Sequence, residues 1–92
     1  VNLIWQIDFT GLAIKQLKNL DKPTRKRIIK WLEDRVLSGS DPRLWGKQLK
    51  GDKFKQIWRY RVGDYRVLCR IEDNIVTITV VSVGHRNEIY DE

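Results

Sequence analysis

The sequence is poor in the residues that most directly announce chemistry. It holds one cysteine, Cys69, and one histidine, His85. A single thiol excludes an intrachain disulfide framework, so nothing here calls for an oxidising compartment. Cys69 sits in an apolar strand pattern and reads as a small buried hydrophobe. One histidine, one cysteine and no paired carboxylates among the basic residues leave no ligand cluster, so neither a metal nor another cofactor is expected. There is no Gly-rich nucleotide loop and no Ser-His-Asp arrangement. No apolar run approaches the roughly 18 residues of a membrane span. The first residues lack the basic-then-apolar order of a signal peptide. A cytoplasmic protein with no membrane partner is the expectation.

What is present is positive charge. Lys and Arg number 18 against 12 Asp and Glu, a net charge of +6 on 92 residues. That length allows one domain, residues 1–92. So much charge on so small a domain favours a polyanionic partner: nucleic acid, an acidic protein segment or an anionic membrane.

The opening stretch NLIWQIDF alternates, with Leu3, Trp5, Ile7 and Phe9 on one side. That is a half-buried strand. Thr10 is placed to cap a helix carrying Leu12, Ala13, Leu17 and Leu20 at helical spacing. Asp21 caps a second helix, with Pro23 in its first turn and Ile28, Leu32 and Val36 in one stripe. Trp31 lies on the flank, and Gly39 suits the position past the helix end. Residues 40–53 read as a long connecting loop, ordered by Leu44, Trp45 and Leu49 docking on the core. Strands follow at 54–62, 65–72 and 75–83, joined by the two-residue turns Gly63-Asp64 and Asp73-Asn74. The predicted fold is α+β, in the order β-α-α-β-β-β. Its two N-terminal helices pack on one face of a mainly antiparallel four-stranded sheet.

Turn length sets register, and register sets faces. With Gly63-Asp64 as the turn, Arg61 faces Arg66 and Arg59 faces Leu68. Arg59, Arg61, Arg66 and Arg70 then share one side; Trp58, Tyr60, Val67, Cys69 and Ile71 share the other. The second turn adds Thr77 opposite Arg70 and Thr79 opposite Leu68, if no bulge intervenes. Opposed like charges are unfavourable, whereas the guanidinium fork binds phosphate by two hydrogen bonds. A phosphate-binding face is the reading this pattern supports over an ordinary solvated surface. His85 and Arg86 are expected to leave the last strand at the edge of this face, followed by Tyr90. His85 has either a catalytic or a passive capping role, and Tyr90 either joins the site or plugs the core beside Ile89.

RNA carries its own nucleophile, the 2′-OH beside each phosphodiester. Cleavage needs a base, fixed positive charge on the phosphoryl oxygens and an acid for the leaving 5′-oxygen. Arg59, Arg61, Arg66 and Arg86 supply charge; His85 or Tyr90 is a candidate for proton transfer. Trp45 is the one tryptophan open to base stacking, with loop anchoring as its other role.

The segments LKG (49–51), WRYRVGDYRVLCRIED (58–73) and VVSVGHRNEIY (80–90), with the helix LDKPTRKRI, resemble the RelE toxin family of the RelE/ParE superfamily over nearly the whole chain. The resemblance implies a bacterial or archaeal type II toxin that cuts mRNA in the A site of the 70S ribosome, without metal, by 2′-OH attack on the adjacent phosphate. It implies inhibition of translation, and a toxin–antitoxin complex with a RelB-like antitoxin that brings an acidic segment. Carried over by position, it makes Arg59, Arg66, Arg86 and Tyr90 catalytic, with Arg61 in support. His85 joins the catalytic candidates because related ribosome-dependent toxins use a histidine in this region. Arg70 on the same face and Lys47, Lys50, Lys53 and Lys55 are further RNA-binding candidates, among which the sequence does not choose. Two positions depart from the family pattern: Ile57 stands where members carry a lysine, and His85 where they carry another. The alternative within the superfamily is a ParE-like toxin of the same fold, acting on DNA gyrase without cutting RNA.

Overall fold

The computed structural model describes residues 5–52 and 55–89. The chain begins with strand β1 (Gln6–Phe9), then helices α1 (Gly11–Lys18) and α2 (Lys22–Val36). Thr10 caps α1 as expected: its Oγ1 accepts from Ala13 N–H at 3.1 Å and donates to the Val81 carbonyl at 3.2 Å. The cap therefore also ties the helix start to the far end of the chain. The Asp21 carboxylate caps α2, accepting from the Thr24 hydroxyl (2.7 Å) and backbone N–H (3.2 Å). Those hydrogen bonds hold its pKa below the usual carboxylate value. Ile28, Leu32 and Val36 are each 1% exposed, and burial of each contributes about 1.5–3 kcal/mol.

Four further strands follow: β2 (Gly46–Gln48), β3 (Ile57–Val62), β4 (Tyr65–Glu72) and β5 (Thr77–His85). Among the described residues the strands form one five-stranded sheet in the order β1-β5-β4-β3-β2. β1 pairs with β5 in parallel, and the remaining pairs are antiparallel. The expectation of four strands is corrected by β2, which lies inside the segment read as a loop. Three residues opening on a glycine carry no alternation to detect. They pair because β3 offers an open edge, and glycine permits the approach: a Cβ on Gly46 would stand 2.7 Å from Tyr60 Cε1 and 2.9 Å from the Arg59 carbonyl.

The rest of the connecting segment is a strap. Tyr60 Oη donates to the Pro42 carbonyl at 2.8 Å, and Leu49 is buried. Arg43 forms a two-pronged pair with Asp73 at 3.0 and 2.6 Å. Arg35 lies 4.4 Å from the Trp31 ring and 5.5 Å from the Trp45 ring. Trp45 meets Arg35 of α2 but, like Leu44, is exposed, so of the three residues expected to dock on the core only Leu49 does.

The turn between β4 and β5 is longer than predicted. Asp73–Ile75 form a 3-10 turn, and Val76 takes a left-handed conformation with φ 48°. Sequence rules reserve that conformation for Gly and Asn, so a β-branched residue hides it. Thr77 therefore pairs with Glu72 and Thr79 with Arg70. The register is shifted by two residues from expectation, and a shift of two leaves the faces unchanged. Further along a bulge changes them: Cys69 pairs with Val80 but Leu68 with Ser82, leaving Val81 as the extra residue. Val83 turns inward as a result and is 2% exposed. One core lies between sheet and helices, with Tyr60, Val67, Cys69 and Ile78 packed against Ala13, Leu17, Ile28 and Leu32.

Candidate nucleic-acid interface

The sheet face turned away from the helices carries the arginines in rungs. Arg61 pairs with Arg66, and Arg66 with Gly84. One rung further, Lys47, Arg59, Leu68 and Ser82 lie side by side. The next joins Ile57, Arg70 and Thr79. The first hairpin has the predicted register throughout. β2 adds what the sequence could not place: it sets Lys47 directly beside Arg59.

Exposure divides these cations. Arg59 and Arg66 are only 5% and 7% exposed, whereas Arg61, Arg70 and Lys47 are open to solvent. A charge with little water around it acts more strongly on a phosphate brought against it. Arg66 is also oriented, since its Nη1 donates to the Gly63 and Tyr65 carbonyls, both at 3.1 Å. The Gly63-Asp64 turn has positive φ only at Gly63, 61°, the pattern of a type II′ hairpin. Arg86 is anchored to this turn by its backbone N–H, which donates to the Asp64 carbonyl at 2.8 Å. Its guanidinium approaches the Asp64 carboxylate only to 3.9 Å.

His85 is not where the sequence reading puts it. Beyond the Val81 bulge the faces exchange, so His85 stands opposite Tyr65 on the helix side. Its ring meets the Tyr65 ring edge-on at 5.6 Å, and its Nδ1 accepts from Asn87 N–H at 3.3 Å. It lines a hollow with Gln16 of α1 and with Asn19 and Leu20 just past the helix end. Lys50 and Lys55 are exposed, outside the paired strands. Lys53 and Tyr90 lie outside the described residues. Among the described residues, His, Cys, Asp and Glu form no group of three or more suited to a metal ion. Sequence reasoning missed Arg27: the α2 guanidinium lies over Gly63, occupying the place a Cβ would take. No local pattern announces such a contact between a helix and a distant turn.

Residues 7–90 match a family model described as "ParE toxin of type II toxin-antitoxin system, parDE". The chain is 39% identical over 85 residues to Toxin RelE3 of Methanocaldococcus jannaschii, spanning 90% of this chain and 92% of that protein. It belongs to the RelE family of type II toxins. The toxin is also 30% identical over 88 residues to the mRNA interferase toxin RelE of Escherichia coli, spanning 94% of this chain and 90% of that one. Its fold superposes on a chain of the RelBE2 toxin–antitoxin complex of Mycobacterium tuberculosis with a TM-score of 0.79 at 26% identity, covering 91% and 100% of the two chains. Among the toxin's described residues, no helix is long and apolar enough to cross a membrane.

Proposed function

We propose that the toxin is a ribosome-dependent, metal-free endoribonuclease that halts translation by cutting mRNA. The observation that carries this reading is the pair of nearly buried arginines, Arg59 and Arg66, inside a face that also holds Arg61, Arg70 and Lys47. The likeness to a protein named mRNA interferase supports it.

In the proposed reaction the 2′-oxygen attacks the adjacent phosphorus and the bond from phosphorus to the 5′-oxygen breaks. The strand is left with a 2′,3′-cyclic phosphate and a free 5′-hydroxyl. Arg59, Arg66 and Arg86 hold the phosphoryl oxygens as their charge grows, the largest contribution expected of preorganised donors. Arg61, Arg70 and Lys47 bind neighbouring phosphates, and Lys50, Lys53 and Lys55 are proposed to add to them. The 2′-OH proton passes to a base and the 5′-oxygen receives one from an acid. Tyr90 is proposed for one of these roles; His85, turned to the helix side, is not. The nucleophile comes from the RNA, so fixed cations and proton transfer suffice.

The toxin's structural relatives include RelB–RelE complexes, and a RelB-like antitoxin is the proposed partner. An acidic antitoxin segment would compete with RNA for the arginine face in the cytoplasm.

Primer extension on a translated message after induction tests the function. Discrete cuts linked to codon position are expected, and they should vanish in Arg66→Ala. The family model's description favours a second reading, a ParE-like toxin acting on DNA gyrase. Intact message together with DNA damage would decide for it.

A further inference from the structure

Basic character does not stop at the arginine face. α2 opens with Lys22, Arg25, Lys26, Arg27 and Lys30, and has no acidic residue in its first turn. Lys22 and Arg25 stand in the first turn, where the macrodipole disfavours cations, and the Arg25 charge favours the ionised cap Asp21. Lys30 has Asp34 at 3.2 Å. Among the described residues Arg27 forms no ion pair; its Cζ lies 2.9 Å from where a Cβ on Gly63 would stand. Only glycine leaves that room.

Gly63 and Asp64 are therefore met from three elements: by Arg27 of α2, by Arg66 of β4 and by Arg86 just beyond β5. Past Arg27, the surface of α2 continues as an open hollow lined by Pro23, Lys26, Lys30, Trp31, Asp34 and Arg35. A groove lined by cations is what tracks the phosphates of a single strand.

We infer that Arg27 carries the phosphate-binding face around the β3–β4 turn onto α2, so that one RNA strand is held from sheet to helix. The inference rests on the RNA-cleaving reading of the sheet face. Arg27 binds a flanking phosphate and takes no part at the bond that breaks.

The test measures binding of uncleavable 2′-O-methyl RNA by fluorescence anisotropy across a salt series. It uses a short oligonucleotide of about four residues and a long one of about twelve, bracketing the usual single-strand site sizes. The long RNA should bind wild type more tightly than the short. Arg27→Ala should weaken the long RNA several-fold and reduce the magnitude of its log–log salt slope by about 0.7, the value for one phosphate contact on a single strand. Binding of the short RNA should not change, and Arg27→Lys should restore the slope. Arg66→Ala should weaken both lengths.

Three results overturn the inference: no gain with length, no effect of Arg27→Ala on the long RNA, or equal weakening of both lengths with a lowered Tm. The last would make Arg27 a support for the turn. If Arg27→Ala instead weakens only a polyglutamate peptide, the α2 surface belongs to an acidic protein partner and the inference is again overturned. Loss of the Arg66→Ala effect is a separate result, and it removes the RNA reading itself.

Discussion

Arg61 stands directly opposite Arg66 across the β3–β4 hairpin, one rung from the turn-closing pair Val62–Tyr65. Like charges so placed cost a hairpin on the order of a few tenths of a kcal/mol. In the proposed site a phosphate offsets that cost, and two carbonyls hold Arg66 in place.

Arg86 offers the cleanest separation of charge from fold. Its side chain is 57% exposed, and its anchoring contact is a backbone N–H that any residue retains. Arg86→Ala should slow single-turnover cleavage of ribosome-bound mRNA by roughly 10²-fold or more, the usual loss on removing a transition-state donor. Its Tm should match wild type. Arg66→Lys should also lose most activity, because a point charge cannot replace the planar fork. Wild-type rates in both variants would rule out the site.

Val83→Ala should destabilise the protein. The bulge at Val81 turns Val83 into the core, where it is 2% exposed. Losing two buried carbons costs about 1.5 kcal/mol, read as a lower urea midpoint. An unchanged midpoint would contradict the inward turn.

Tyr60→Phe removes the hydroxyl that meets the Pro42 carbonyl at 2.8 Å and leaves a buried acceptor unsatisfied. A loss of about 1–3 kcal/mol is expected, together with faster hydrogen exchange in the strap at 41–48. Burial raises the pKa of this hydroxyl well above its ordinary value. Spectrophotometric titration should accordingly find one tyrosine that ionises only when the protein unfolds.

The Arg43–Asp73 pair predicts a small acid dependence. Arg43, first through its hydrogen bonds and then through its charge, lowers the Asp73 pKa below the usual carboxylate value. A lowered folded-state pKa contributes stability that is complete above the unfolded-state value and lost as pH falls through the folded one. The loss should therefore appear below about pH 4 and be absent in Asp73→Asn, as measured by unfolding free energy against pH. Asp73 is largely exposed, so solvent screening keeps the effect small.

The residues of the first hairpin and of both helices determine their own structure. A two-residue turn with glycine first sets the register, and alternation with period two then sorts Arg59, Arg61 and Arg66 from Trp58 and Tyr60. Thr10, Asp21 and the Ile28–Leu32–Val36 stripe mark the helices by local capping and spacing. Tertiary structure decided the rest. β2 exists because β3 presents an edge and Gly46 lets Tyr60 come close. The Val81 bulge, whose carbonyl accepts from Thr10, turns His85 to the helix side. Arg27 reaches Gly63 only once α2 has packed on the sheet. Each of these depends on contact between segments far apart in the chain, and the energy of such a contact belongs to neither segment alone.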